Sequence, residues 1–200
     1  EIYTIKASDI IRGGRIYLNP GDKIKIKDLF YLSLVCSSNS AAKALVGASQ
    51  LGEADFIAKM NAKAMELGLE SINFIEPTGL HSYNTASAFE IALFAKAAFA
   101  DEHISAATLS RKYELATLAG KKITIYNTDS LLDIFPQNGI KILGGKTGYT
   151  DLAGYCFIGK FIDNNEHELI SVILGNKSRK NSFFETRHVV EWAYNNYSWQ

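Results

Sequence analysis

Two short runs in this chain combine residue types that catalysis needs. The first is Lys146-Thr147-Gly148, set inside Gly144-Gly145-Lys146-Thr147-Gly148-Tyr149-Thr150-Asp151-Leu152-Ala153-Gly154-Tyr155. Lys146 brings a positive charge and Thr147 a hydroxyl, two groups that suit a terminal carboxylate. Gly145 and Gly148 let another backbone come close, and a strand edge here would offer amides and carbonyls to an extended peptide. The second run is Ser37-Ser38-Asn39. Ser37 could pass protons, and Asn39 could bind a substrate amide. The same residues are ordinary at a helix boundary, where Ser and Asn cap free N–H groups. A bare Lys-Thr-Gly arises by chance; its glycine prefix, its tyrosine-rich suffix and the second run carry the signal.

The elements that would position these runs follow from apolar periodicity. Ile24 and Ile26 alternate with lysines after an Asn19-Pro20-Gly21-Asp22 turn. Asp28 is expected to cap a helix through Leu29, Leu32 and Leu34 toward Cys36, and a second helix resumes at Ala41. Residues 53–67 form an amphipathic helix with Phe56, Ile57, Met60, Ala64 and Leu67 on one face, ended by Gly68. A loop with Pro77, Gly79 and Asn84 follows, then a helix over about 87–100. Short strands at 112–118 and 121–126 flank Gly120. Strands at 140–147, 153–162 and 167–174 follow, the last two joined by Asp163-Asn164-Asn165, and a helix covers 181–196. Helices early and strands late predict an α+β domain with an antiparallel sheet.

Composition narrows the rest. The chain has 200 residues, enough for one independently stable domain. Lys plus Arg total 21 and so do Asp plus Glu, which removes any general electrostatic case for nucleic acid. No apolar run approaches a membrane-spanning length. Cys36 and Cys156 have no metal-ligand spacing and read as two buried thiols, with a bridge between them the alternative for an exported chain. His81, His103, His167 and His188 are scattered, so no metal or cofactor is assigned. Tyr83 and Tyr155 read as core packing or as cleft lining.

Taken together, the motifs resemble the D-alanyl-D-alanine carboxypeptidases, the low-molecular-mass penicillin-binding proteins of the β-lactamase/transpeptidase fold. Ser37-Ser38-Asn39-Ser40-Ala41-Ala42 resembles the family's Ser-x-Asn motif, and Lys146-Thr147-Gly148 its Lys-Thr-Gly strand. Leu18 to Lys23 with Asp28-Leu29 resembles the turn and helix before Ser-x-Asn. Asn61, Leu67-Gly68-Leu69, Phe74, Pro77 and Gly79-Leu80-His81 resemble the helix and loop after it. Asn127-Thr128-Asp129 with Leu131-Leu132 resembles an Asn-Thr-Asn-x-Leu-Leu segment.

The resemblance implies a serine attack on the bond between two D-alanines, through an acyl-enzyme that water then releases. The implied partners are peptidoglycan stem peptides ending in D-Ala-D-Ala, and β-lactam antibiotics. The location is extracytoplasmic, with full-length relatives at the outer face of the bacterial cytoplasmic membrane. Ser37 would relay protons, Asn39 would hold the substrate amide, and Lys146 with Thr147 would bind the carboxylate region. The N–H near Tyr149, just past Gly148, would give half an oxyanion hole. Lys177 occupies a place where a basic residue helps hold that carboxylate.

The family's nucleophile and base lie in a Ser-x-x-Lys upstream of Ser-x-Asn, and no such string precedes Ser37. Ser40-Ala41-Ala42-Lys43 is the one match, and it overlaps the Ser-x-Asn motif, which argues against it. The N-terminal strands and the nucleophile helix are therefore expected to be missing, leaving an exposed sheet edge. The chain opens on Glu1, which reads as a trimmed product or an interior start. The missing part is deleted, cleaved, or supplied by another chain, and this chain alone is expected to be inactive. It reads as a single domain over 1–200 without the family's trailing β-domain. The rival readings are a β-lactamase, for which Glu76 would be the candidate deacylating base, and a non-catalytic peptidoglycan-peptide-binding pseudoenzyme.

Overall fold

Apolar residues dominate the last strands, and their burial, led by Phe157 and Phe161, holds the sheet on which the site rests. In the computed structural model, which describes residues 1–199, β5 (Lys141–Thr150), β6 (Gly154–Ile162) and β7 (Glu168–Asn176) form an antiparallel sheet in that order. The register sets Lys146 opposite Ile158, Thr147 opposite Phe157 and Gly148 opposite Cys156. The β6–β7 turn is fixed by Asp163, whose carboxylate accepts from the amides of Asn165 (2.9 Å) and His167 (2.8 Å). Helix α6 (Arg179–Asn196) lies on β6 and β7 and buries Phe183 and Val190 with Phe157, Phe161, Leu131 and Leu132. Each such burial contributes roughly 1.5–3 kcal/mol of transfer free energy. Among the described residues β5 and β7 are both edge strands.

A second core holds the other half of the site. Helices α1 (Ile26–Val35) and α2 (Asn39–Ala48) pack together and bury Leu29, Leu32, Val35, Ala41 and Ala44. Two antiparallel strand pairs close over them. One is β1 (Ile2–Thr4) with β2 (Lys23–Lys25); the other is β3 (Lys112–Ala116) with β4 (Lys122–Tyr126), which adds Ile123 and Ile125. Helix α3 (Glu53–Glu66) ends where Gly68 takes φ +72°, and with α4 (Ala88–Ala98) it frames a small cluster of Ala64, Leu69 and Ile72.

The α+β class holds, and two local expectations change. Asp28 is not the cap of α1. The helix leaves β2 directly, with Lys25 at the cap position, so Asp28 is already in the first turn. There its buried carboxylate accepts from the Tyr113 hydroxyl at 2.7 Å and ties α1 to β3. A helix absent from the sequence reading, α5 (Glu102–Leu109), lies against β5. Its start is marked by Asp101, which accepts from the amides of His103 (2.9 Å) and Ile104 (3.1 Å).

Candidate active site

The junction of α1 and α2 is both a helix boundary and the place from which Ser37 meets Lys146. Ser38 is the cap of α2 and accepts from the Ala41 amide at 3.3 Å, while its own amide returns to the Leu32 carbonyl at 3.1 Å. Squeezed between a helix end and a cap, Ser37 takes φ +56°, a left-handed conformation that costs a serine on the order of 1–2 kcal/mol. Its exposed hydroxyl accepts a hydrogen bond from Lys146 Nζ at 2.6 Å. Lys146 also donates to the Thr147 carbonyl at 3.0 Å. Asn39 begins α2 and donates from Nδ2 to the Gly13 carbonyl at 2.7 Å, holding the loop before β2 against the site.

Next along β5, the Thr147 hydroxyl meets the Thr128 hydroxyl at 2.7 Å. Thr128 is anchored twice: its amide donates to Val35 O at 3.0 Å, and its carbonyl accepts from the Arg179 guanidinium. Gly148 has room beside it, since a Cβ there would meet only Cys156 at an ordinary 3.6 Å. Folding does not demand glycine at this point, so its small size leaves space for a ligand. Gly145 is different: a Cβ would come within 2.4 Å of Asp129 Oδ2 and 3.0 Å of Phe157. Tyr149 is exposed, packs at a tilt against Tyr155 with ring centroids 4.3 Å apart, and donates to Asp151 at 2.9 Å.

These groups line one cleft of about 990 Å³ between the α1–α2 junction, β5 and the start of α6. It brings together Ser37, Asn39, Lys146, Thr147, Gly148 and Tyr149. Lys177 is exposed and does not line the cleft; the chain turns between β7 and α6, and Arg179 faces it instead. Tyr155 lines the cleft and Tyr83 is exposed on the surface. Cys36 and Cys156 are free and half-buried, so neither the bridge nor two fully buried thiols is found. Ser40 and Lys43 form no dyad. Ser40 Oγ is buried against Ile11, accepting from its amide at 3.0 Å, and Lys43 pairs with Glu53.

Charge in the cleft is set by burial. Burial lowers the Lys146 ammonium to about 8, against opposing pulls from Cys36 and Asp129. Asp129, only 3% exposed, is pushed up to about 6 by burial, and its Oδ2 has no hydrogen-bond partner. Sequence reading passed over Asp129, Thr128 and Arg179 as site residues. The Asn-Thr-Asp run was the signal for Thr128 and Asp129, and Arg179 had none.

One wall of the cleft, Pro77 to Leu80, is organised by Glu76. Its carboxylate accepts from the Thr78 amide (2.7 Å) and hydroxyl, the Leu80 amide (2.7 Å), the His81 amide (3.2 Å) and Asn84 Nδ2 (2.8 Å). Burial opposes ionisation, but the bonds from Thr78, His81 and Leu80 outweigh it and hold the carboxyl below its ordinary range. A depressed carboxyl stabilises the fold above its unfolded pKa and loses that contribution as pH falls through the folded one. Glu76→Gln is expected to cost about 1–2 kcal/mol at pH 7. Urea melts should show that cost fading in acid, and amide exchange at Thr78, Leu80 and His81 should quicken. A variant matching wild type in both would remove Glu76 from this role.

Comparison with known proteins gives the family and the fold. A family profile described as D-alanyl-D-alanine carboxypeptidase (Peptidase_S11) matches residues 3–178. The chain is similar to the D-alanyl-D-alanine carboxypeptidase DacF of Bacillus subtilis, 31% identical over 96% of this chain and 51% of that protein. It is also similar to the D-alanyl-D-alanine endopeptidase of Escherichia coli, 33% identical over 76% of this chain and 48% of that protein. The chain thus spans about half the length of the curated relatives it matches. Among solved structures, a D-alanyl-D-alanine carboxypeptidase from Mycobacterium tuberculosis superposes with TM-score 0.86 at 24% identity, over 98% of this chain and 75% of that one. The Streptomyces K15 DD-transpeptidase superposes with TM-score 0.87 at 22% identity, over 97% and 79%.

Proposed function

The chain belongs to the D-alanyl-D-alanine carboxypeptidase family, and from that membership we propose that its cleft binds the D-Ala-D-Ala end of a peptidoglycan stem peptide for serine-type acyl transfer. The observation that carries the reading is the Ser37–Lys146 bond, with the Thr147–Thr128 hydroxyl pair and Arg179 on the same wall. An extended peptide runs along the free edge of β5. Its terminal carboxylate meets Thr147, Lys146 and Arg179, whose guanidinium is already oriented by the Thr128 carbonyl. Asn39 Nδ2 is committed to Gly13, so a substrate N–H is met by Oδ1. The backbone N–H near Tyr149 faces the oxyanion, and Ser37 with Lys146 relays the proton between attacking and leaving groups.

In the whole protein the acyl-enzyme forms on peptidoglycan outside the cytoplasm, and β-lactams acylate the same site. Among the described residues no helix is long and apolar enough to cross a membrane. The Glu76 carboxylate is consumed by its own loop, which leaves it poorly suited to activate the deacylating water of a β-lactamase.

Binding of Nα,Nε-diacetyl-Lys-D-Ala-D-Ala, followed by NMR titration, tests the carboxylate assignment. Replacing the terminal carboxylate by an amide is expected to weaken binding about tenfold or more, and Arg179→Gln about tenfold. Equal affinity for acid and amide would sink the reading. Saturable binding with no acyl-enzyme in any longer form of the protein would favour the non-catalytic alternative.

A further inference from the structure

We infer that Ser37 is itself a nucleophile in this chain: its hydroxyl, paired with the Lys146 amine, takes the acyl group of activated carboxylic esters. The inference rests on the reading of the cleft as an acyl-transfer site and adds a covalent step to it. Four observations carry it. Ser37 Oγ lies 2.6 Å from Lys146 Nζ, within range for direct proton transfer. The hydroxyl is exposed and opens on a cleft of about 990 Å³. The backbone at Ser37 is held at φ +56°, the kind of strain that persists where surrounding structure enforces a side-chain direction. Finally, Ser37 immediately precedes the cap of α2, ten residues long, whose N-terminal dipole favours negative charge developing nearby. The only Ser-x-x-Lys string, at Ser40 and Lys43, is spent on Ile11 and Glu53, so it does not compete for this chemistry.

The step balances without a further reagent. Neutral Lys146 takes the proton from Ser37 Oγ as Oγ bonds to the acyl carbon of p-nitrophenyl acetate. The bond from that carbon to the phenolate oxygen breaks, and p-nitrophenolate leaves without needing a proton. The resulting ammonium returns its proton to solvent. This good leaving group separates the step from peptide cleavage, in which the departing amine must be protonated. The charged and titratable groups near Lys146 are Cys36 at the end of α1 and Asp129 before β5, with Arg179 and Asp133 beside Asp129. The fraction of neutral Lys146, and with it the acylation rate, should climb about tenfold per pH unit and level off above about 8.

The chain is incubated with p-nitrophenyl acetate, its intact mass is recorded, and the adduct is mapped before and after hydroxylamine. The expected result is one hydroxylamine-labile acetyl ester on Ser37, lost at least tenfold in Ser37→Ala and retained in Ser40→Ala. Ser37→Cys should carry a thioester at the same position, which keeps the test decisive if the alanine variant folds poorly. A hydroxylamine-stable acetyl group on Lys146 would overturn the inference, because the amine and not the hydroxyl would then be the nucleophile. Labile label that survives Ser37→Ala would overturn it too. Tripeptide binding without a Ser37 ester defeats this inference and leaves the reading of the cleft intact. An ester without tripeptide binding does the reverse.

Discussion

Asp129→Asn is expected to raise the stability of the fold by about 1–2 kcal/mol at pH 8 and to change it little below pH 4. The carboxyl is 3% exposed and is pushed up to about 6, chiefly by burial. The fold therefore prefers the protonated form. Between the unfolded value near 4 and the folded value near 6 the native state holds the proton more tightly. Stability contributed by the neutral carboxyl is complete below that window and is lost as pH rises through it. Above it, every folded molecule carries an ionised carboxylate with Oδ2 unpartnered against Gly145. Asparagine keeps the Oδ1 that accepts from the Leu131 amide at 2.8 Å and removes the charge. The buried amide it introduces needs a partner of its own, which holds the gain below the roughly 3 kcal/mol that the pKa displacement alone would give. Urea midpoints of wild type and variant at pH 4 and pH 8 measure the effect. A difference independent of pH would mean that shape, not ionisation, governs this position.

A carboxylate kept at such a cost invites a functional account, and Lys146 supplies one. Asp129 pulls the lysine upward against its desolvation. Removing that pull should lower the lysine further and shift the rise of Ser37 acylation to lower pH. The family resemblance gives Asn at this place in its Asn-Thr-Asn segment, so the acidic residue is a departure of this chain.

The legible parts of the molecule were those whose signals are local. Apolar runs on either side of the Asp163-Asn164-Asn165 turn announced β6 and β7, and the spacing of Phe56, Met60 and Ala64 announced α3. Ser37-Ser38-Asn39 invited both a capping and a chemical reading; Ser38 caps α2, and Ser37 is placed facing Lys146. What escaped was set by distant packing or by weak pattern. In α5, Ile104 and Leu109 fall among small and polar residues, so only the Asp101 cap marked it. Arg179 reads as a surface cation until α6 is docked on the sheet and its guanidinium reaches the Thr128 carbonyl. Lys177 stands two positions earlier, in the turn, and the chain's change of direction there sends it to solvent. Asp129 caps the short 3-10 helix Ser130–Asp133 through its bond from the Leu131 amide. Its burial against Gly145 comes from the sheet and cannot be seen in its neighbours along the chain.

Lys146→Met should abolish the chemistry and strengthen the fold. Without the amine, acylation at Ser37 is expected to fall at least a hundredfold, and tripeptide binding about tenfold or more as a carboxylate partner is lost. Stability moves the other way. Burial lowers the lysine to about 8, so the fold disfavours the ammonium, and stability rises as pH climbs through 8 toward the unfolded value near 10.4. At pH 7 the charged form is present in both states, and a methionine of similar reach removes its desolvation. Lys146 is only half-buried and faces an open cleft, so water screens much of that penalty; the expected gain is about 1–2 kcal/mol at pH 7, shrinking toward pH 10. Because Asp129 and Lys146 attract one another, each single variant forfeits that attraction. The double variant should therefore gain more than the two singles together, by about 0.5–1 kcal/mol. Additive singles would mean that the two charges do not sense each other across β5. A Lys146→Met chain less stable than wild type would mean that the bonds to Ser37 and Thr147 outweigh desolvation, making the dyad a structural clasp as well as a chemical one.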